Sequence, residues 1–292
     1  GGVKFSRHHE EGLQSEKYFD PTIGLVRFDN AQGRPLGMIF NFCCHPATMI
    51  DNTMVSPDWV GEARRHIEQV INGAPAMYVQ GFCGDVNYYH IFGTPAQARR
   101  NGKRLGRSAA RAMANLIPVK AEPLCFAFKS IPLPCRPMYS REELEEHISA
   151  RLQFIDELHD DPTACWVCGI NVPEQFPPEK KAKLLDIHMD YLNEGLRLLQ
   201  TGEPVRTSLD LKIGAVRLGD MAAAISPGEN FTHTGARVRE RSPFSHTLIC
   251  GDTNGNFGYI GDDLEMDRGG YETDSYWKML YIDGFRLALA KG

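Results

Sequence analysis

The first 80 residues show the hydrophobic patterns of strands, with one helical pattern between them. Residues 24–29 alternate apolar and polar positions, as a half-buried strand does, and a turn signal follows at residues 30–33. Residues 37–44 form a nearly continuous apolar run, which is typical of a fully buried strand. We therefore predict a hairpin that feeds a central sheet, followed by a helix at residues 57–71 and a strand at residues 76–80.

Two segments in this part of the chain have the periodicity of long helices. Before the helix at residues 57–71, Ser56 is placed as an N-cap, and Pro57 suits the first helical position. Residues 95–116 carry alanine and arginine at helical spacing and predict a second long helix. The order strand, helix, strand, helix predicts a βαβ-like arrangement.

The middle of the chain has a different, mostly helical pattern. Charged and periodic segments at residues 140–159 and 179–201 predict surface helices, with a proline-rich irregular stretch at residues 161–178 between them. We predict that residues 136–204 form a helical insertion that acts as a lid or a packing arm.

Strand patterns return in the last third of the chain. They predict strands at residues 209–218, 221–225 and 244–250, and a helix at residues 231–240. The predicted fold class is α/β, with a mixed central β-sheet flanked by helices. We predict a single domain over residues 1–292 with the mostly helical insertion at about residues 136–204.

Composition narrows the range of partners. The chain has 292 residues, of which 42% are hydrophobic and 24% charged, as in ordinary globular domains. A formal net charge of −5 gives no reason to expect nucleic acid or an acidic membrane face as a partner. The longest apolar runs, such as residues 36–44, are far shorter than the roughly 20 residues that a transmembrane helix needs. We predict no nucleic-acid partner and no transmembrane segment, and the oligomeric state stays open.

The eight cysteines do not define a disulfide framework. Cys43, Cys44 and Cys83 lie in or beside apolar strand-like runs, where buried free cysteine is common. Cys165 and Cys168 form a single CxxC with no second pair to complete a zinc site. A disulfide, two free thiols and a weak metal site are all open for this pair, and a structural or incidental role is favoured.

Three potentially chemical residues follow buried-strand patterns. His45 stands where the apolar run ends, Glu229 follows Ile-Ser-Pro-Gly, and Tyr259 follows a polar, glycine-rich stretch after a strand. Ligands of α/β sheets bind at strand ends, so these residues are candidates for one site. For each there is an ordinary structural alternative: a hydrogen-bonded core histidine, a glutamate stabilised by a helix N-terminus, and a packed aromatic ring.

Five short motifs stand in a characteristic order along the chain. They are Asn41-Phe-Cys-Cys-His45-Pro, Ser56-Pro-Asp58-Trp-Val-Gly61, Gly84-Asp85-Val86-Asn87, Pro227-Gly228-Glu229, and Gly258-Tyr259-Ile260 with Tyr271-Glu272 downstream. As a set they resemble the catalytic domain of the neutral/alkaline, non-lysosomal ceramidases, and especially its bacterial relatives of uncertain substrate. The resemblance covers most of residues 1–120 and 205–292, but not the helical insertion.

The resemblance implies a zinc site and a set of ligands. His45, Glu229 and Tyr259 match the positions of the family's ligands for Zn²⁺. Arg7 lies where the family has an arginine that holds a carboxylate or a tetrahedral intermediate.

The family's second zinc-binding histidine, in a Thr-His-Ser-Gly-like stretch, has no match in the chain. Because residues 3–6 already have the pattern of a strand interior, we expect this histidine in a missing N-terminal portion. The alternatives are supply of the histidine by another chain, substitution by His8, His9 or His90, and a degraded site.

The catalytic turn departs from the family pattern. Asn87 stands where the family has its nucleophilic serine, and an amide side chain cannot carry out acyl transfer as a serine does. Asn87 can still donate a hydrogen bond to a developing oxyanion, which favours attack by a metal-activated water. Asp85 would orient this turn or a metal ligand, and its structural alternative is a turn-capping carboxylate.

We therefore expect a zinc-dependent hydrolase that cleaves an amide bond, or less favourably an ester bond, in a lipid or other small-molecule substrate. The resemblance also implies a secreted or periplasmic protein of sphingolipid metabolism. Two alternatives stay open, a non-catalytic relative that binds lipid or glycan and a carbohydrate deacetylase on the same metal centre.

Overall fold

A computed structural model of the chain describes residues 19–50, 52–88, 91, 93–164, 172, 176–279 and 284–291. The described chain forms two compact units. The first unit comprises residues 19–130 and 212–258, and the second comprises residues 131–211 and 259–291. The sequence predictions that concern Arg7, His8, His9, His90 and the Cys165–Cys168 pair lie outside the described residues.

The first unit is built on a three-stranded sheet. Strand β1 (Gly24–Asp29) pairs antiparallel with β2 (Pro35–Phe42), and β2 pairs in parallel with β3 (Ala76–Gln80). Helix α1 (Asp58–Val70) connects the two parallel strands, so β2, α1 and β3 form the predicted βαβ unit. The core between helix and sheet contains Phe40, Trp59 and Ile67, all fully buried.

Helix α2 (Pro95–Ala112) packs closely on α1, and a short 3₁₀ turn (Met113–Asn115) follows it. A Cβ atom on Gly102 would lie 2.2 Å from the carbonyl oxygen of Trp59, so glycine is required at this helix crossing. At the start of α1 the sequence prediction was wrong by one residue. The N-cap is Pro57, and the Ser56 hydroxyl accepts a hydrogen bond from the Asp58 N–H at 3.0 Å.

A second sheet has four strands, which are β4 (Leu124–Pro134), β5 (Ser208–Leu218), β6 (Met221–Ile225) and β8 (His246–Cys250). Their order in the sheet is β4-β5-β6-β8. Strand β6 pairs antiparallel with β5 and in parallel with β8. The short strand β7 (Glu229–Asn230) and helix α5 (Thr232–Arg241) lie between β6 and β8 in the chain. The sequence analysis did not predict β4.

A buried asparagine joins the two sheets of the first unit. The side-chain amide of Asn41 on β2 donates to the carbonyl oxygens of Val79 at 2.8 Å and Ile249 at 3.0 Å. The Gly251 N–H donates to the Gln80 carbonyl at 3.0 Å. Because of these bonds, the carboxyl ends of β3 and β8 lie side by side.

The second unit is mostly helical within its described residues. It contains α3 (Arg141–Asp160), α4 (Pro178–Thr201), α6 (Asp263–Arg268), the short strand β9 (Tyr259–Ile260) and a 3₁₀ turn (Ser275–Lys278). Ser140 and Glu143 form a capping box at the start of α3. Leu144 on α3 packs against Tyr191 and Leu192 on α4, and the Tyr191 ring stacks on Phe285 with 4.5 Å between ring centroids.

The α/β fold class is confirmed, with mixed sheets flanked by helices. Both helices expected at residues 136–204 are present, while the description of this segment as an insertion in a single domain stays a prediction. None of the helices in the described parts of the chain is long and apolar enough to cross a bilayer.

Candidate functional site

A cavity of about 460 Å³ lies in the first unit where four strands end. It is lined by His45 after β2, Gln80 at the end of β3, Glu229 after β6 and Asp252 after β8. Both parallel pairs of strands, β2 with β3 and β6 with β8, point their carboxyl ends toward it. This is the position at which open α/β sheets bind ligands.

The structure brings His45 and Glu229 together at this cavity. The His45 Nε2 atom lies 3.2 Å from the Glu229 Oε2 atom, and the two side chains are only 14% and 17% exposed. Burial lowers the pKa of His45 to about 4, while a hydrogen bond to the Gly84 backbone acts in the opposite direction. The imidazole is therefore neutral near pH 7.

Backbone contacts fix His45 at the end of β2. Its N–H donates to the Val86 carbonyl at 3.0 Å, and its carbonyl accepts from the Trp59 indole N–H at 3.0 Å. His45 therefore follows the predicted buried strand and is fixed by two hydrogen bonds, one to the turn after β3 and one to helix α1.

Gly84 brings the turn after β3 against the backbone of Glu229. The Gly84 N–H donates to the Asn230 carbonyl at 3.0 Å. A Cβ atom at Gly84 would lie 2.2 Å from the Glu229 carbonyl oxygen, so no larger residue fits without displacing one of the two segments. The motif Gly84-Asp85 thus has a steric role in the site.

Asp85 holds the start of helix α5. Its carboxylate accepts from the Thr232 N–H at 2.8 Å and from the Thr232 hydroxyl at 3.0 Å. This contact fixes the chain that follows Glu229. A direct role of Asp85 in catalysis stays a prediction.

Two further predicted site residues, Asn87 and Tyr259, lie among the described residues. Asn87 forms an isolated backbone bridge with His45, but its side chain is exposed and does not line the cavity. Tyr259 belongs to the second unit, where its ring contacts Tyr276 and Tyr271 at centroid distances of 4.9 and 5.8 Å. The zinc-ligand role of Tyr259 and the oxyanion role of Asn87 stay predictions.

Gln80 and Asp252 line the cavity but were not predicted as site residues. The Gln80 amide donates to the Asp252 carboxylate at 2.8 Å, and burial raises the pKa of Asp252, an effect that this hydrogen bond partly offsets. Asp252 has a φ of 46°, in the left-handed region that few residues other than glycine adopt. It follows a buried strand as His45 and Glu229 do, so the same strand-end pattern could have identified it.

The side chains of His45 and Glu229 are of the kinds that bind metal ions, but they supply only two ligands. A neutral imidazole nitrogen and a carboxylate oxygen are ligands that zinc prefers in proteins. Among the described residues, no group of three or more His, Cys, Asp and Glu side chains could hold a metal ion. The described residues therefore supply two suitable donors beside one cavity.

Comparisons with known proteins bear on the fold. No protein-family model and no curated protein matches the chain. A neutral ceramidase from Pseudomonas aeruginosa is similar in structure over 87% of the chain, with a TM-score of 0.54 and 20% sequence identity. A ceramidase complexed with C2 is similar over the same share, with a TM-score of 0.57 and 20% identity. The fold is ceramidase-like.

The match spans only part of the ceramidases. The chain covers 42% of the first ceramidase chain and 44% of the second, which is less than half of each. At this level of identity the similarity establishes the fold, and it does not transfer an activity.

Proposed function

We propose that this chain carries part of the active site of a zinc-dependent hydrolase that cleaves an amide bond in an N-acyl lipid. The observation that carries the proposal is the contact of 3.2 Å between His45 and Glu229 at a cavity formed by four strand ends. The ceramidase-like fold supports the choice of an amide substrate.

The residues that would hold the metal are His45 and Glu229, with Tyr259 assigned by family resemblance. When bound, zinc supplies Lewis acidity, which polarises an amide carbonyl and makes water more acidic. Because the pKa of His45 is low, the histidine needs no deprotonation near pH 7 before it binds a metal. Its bond to Gly84 holds the ring in one orientation, as outer partners of ligating histidines do.

The other residues of the cavity supply polar groups for the reaction. Burial raises the pKa of Asp252, and we propose this carboxyl group as the one that exchanges a proton with the substrate. Gln80 orients this carboxyl group through its hydrogen bond. By resemblance to the family, we propose that Asn87 donates a hydrogen bond to the oxyanion. On the same ground, we propose that the Arg7 guanidinium binds this oxyanion.

Metal content tests the ligand assignment. The purified protein is dialysed against buffer with trace zinc, and bound zinc is measured by mass spectrometry for the wild type, Glu229→Gln and Glu240→Gln. Glu240 is an exposed residue of α5 and serves as the matched control. Loss of a ligand should weaken zinc binding by at least about 100-fold, more than loss of a ligand's hydrogen-bond partner costs. Equal zinc retention by wild type and Glu229→Gln would refute the assignment.

Substrate class is tested separately. A fluorescent N-acyl amide of a long-chain amine, the matching ester and an N-acetylated sugar are offered to the zinc-loaded protein. Cleavage of the amide alone supports the proposal. Cleavage of the acetyl sugar alone would instead support the deacetylase. Binding of the lipid without cleavage of any substrate would support the non-catalytic relative.

A further inference from the structure

A second cavity, lined entirely by residues of the second unit, has no place in the proposed reaction. It has a volume of about 400 Å³ and shares no lining residue with the cavity of His45 and Glu229. Arg136, Tyr139, His147, Asp274 and Lys278 are among the residues that line it. They come from the segment before α3, the first turns of α3, and the 3₁₀ turn with the residue that precedes it.

Two cations of this cavity share one carboxylate. The Lys278 Nζ atom donates to Asp274 Oδ2 at 2.7 Å, and the Arg136 guanidinium donates to Asp274 Oδ1 at 3.2 Å. The Lys278 side chain is only 5% exposed. Burying an ammonium group in this way is costly unless it is fully compensated.

A third cation increases the positive charge around the cavity. Arg151 is 1% exposed, its guanidinium contacts the His147 carbonyl at 2.8 Å and the His188 imidazole at 3.3 Å, and the Asp274 carboxylate favours its charged form. Burial lowers the pKa of Lys278, the Asp274 carboxylate acts in the opposite direction, and the charges of Arg151 and Arg136 lower it further. Arg151 and Arg136 are therefore close enough to Lys278 to disfavour its charged form.

The other carboxylate of the cavity is already engaged. Glu143 lines the cavity, but its Oε2 atom accepts the Ser140 N–H at 2.7 Å in the capping box of α3. Of the two carboxylates among the described residues that line the cavity, Asp274 is shared by two cations and Glu143 serves a helix N-terminus.

Counting partners within the described part of the chain, donor groups of the cavity wall remain for a ligand. A guanidinium has five N–H groups and an ammonium three. Arg136 uses one on Asp274 and one on the Thr273 carbonyl at 3.4 Å, and Lys278 uses one on Asp274. The His147 Nδ1 atom is buried and has no hydrogen-bond partner among the described residues.

We propose that this cavity binds a compact oxyanion, a phosphate or a carboxylate group, through Arg136 and Lys278. Guanidinium and ammonium groups are the donors that recognise such anions, and charge-assisted hydrogen bonds are the strong ones. A bound anion would place a second negative charge beside Arg136 and Lys278, which share the Asp274 carboxylate.

Anion titration at constant ionic strength tests the proposal. Inorganic phosphate and acetate are titrated separately into the protein in chloride buffer, with calorimetry and the melting temperature as readouts. The variants are Arg136→Gln, Lys278→Met and, as a control, Arg141→Gln, an exposed residue of α3 that does not line the cavity. Circular dichroism checks that each variant folds, and the partly exposed Arg136 decides the outcome if Lys278→Met does not fold.

The wild type should bind at least one of the two anions and melt at a higher temperature in its presence. Loss of Arg136 should weaken this binding by about tenfold or more, as the loss of a charge-assisted hydrogen bond implies, and Arg141→Gln should leave it unchanged.

Binding of phosphate alone identifies a phosphoryl site, and binding of acetate alone identifies a carboxylate site. The proposal is overturned if neither anion binds to the wild type at about 10 mM, or if Arg136→Gln and wild type bind equally. Zinc content and amide cleavage play no part in this readout, so its outcome is independent of the hydrolase proposal.

Discussion

His188 should make the protein progressively less stable in mild acid. It lies on α4 with a fully buried side chain, and its Nδ1 atom is 3.3 Å from the Arg151 guanidinium. Burial lowers its pKa to about 2, and the positive charges of Arg151 and Lys278 act in the same direction. The perturbation is His188→Gln, which removes the titrating group and keeps an oxygen that can accept the Arg151 N–H.

The magnitude follows from the difference between the folded and unfolded pKa values. An unfolded histidine titrates near pH ~6.5, so below this pH the unfolded chain binds one proton more than the folded chain. Above pH ~6.5 His188 is neutral in both states and does not disfavour folding. As the pH falls from ~6.5 toward the pKa of His188 in the folded state, protonation of the unfolded chain progressively lowers the free energy of unfolding. Lowering the pH from about 7.5 to about 4.5 should therefore remove about 2.7 kcal/mol from the free energy of unfolding. This figure changes little for any folded pKa below about 4.

Urea unfolding at the two pH values measures the effect, in buffer without phosphate. Other groups also titrate in this range, so the relevant quantity is the difference between wild type and His188→Gln. The variant should lose about 2.7 kcal/mol less than the wild type on acidification. His159→Gln, at an exposed position near the end of α3, is the control and should keep the wild-type pH dependence.

Two results would refute this reasoning. One is an equal dependence of unfolding free energy on pH in wild type and His188→Gln. The other is a nuclear magnetic resonance titration of His188 in the folded protein with its midpoint near the unfolded value.

Two substitutions probe packing in the two units. Leu144→Ala should lower the free energy of unfolding by about 2–5 kcal/mol, because the side chain is fully buried against Tyr191 and Leu192. The half-exposed Leu152 on the same helix is the control, and an equal loss from Leu152→Ala would contradict the packing argument. Gly84→Ala should lower the melting temperature and weaken zinc binding, because its Cβ would displace the Glu229 backbone. Unchanged zinc affinity in a folded Gly84→Ala protein would show that the close approach does not position Glu229.

The local elements followed from the sequence because their signals are local. The strands at residues 24–29 and 76–80 and the helices on either side of residue 170 lie where their patterns predict them. The capping box of Ser140 and Glu143 similarly depends on residues three positions apart. By contrast, β4 has the exposed apolar residues Leu124, Phe126 and Phe128, and its pairing depends on a distant strand.

The candidate site was only partly predictable. His45 and Glu229 each follow a buried strand, and that pattern alone made them candidates. The distance of 3.2 Å between His45 Nε2 and Glu229 Oε2 depends on the order of the strands. It also depends on Gly84, which lets the turn after β3 approach the Glu229 backbone. The bond between Gln80 and Asp252 joins residues 172 positions apart, and no local pattern encodes it.

The sequence by itself thus determined which segments form strands and helices and which polar residues stand at strand ends. Side-chain periodicity and helix capping involve neighbouring residues, so this information is present in each short segment. Only the tertiary structure decided which strand ends meet, because the parallel pairing of β2 with β3 and of β6 with β8 joins distant parts of the chain. The same holds for the cations around Asp274, which the tertiary packing of separate segments collects beside one carboxylate.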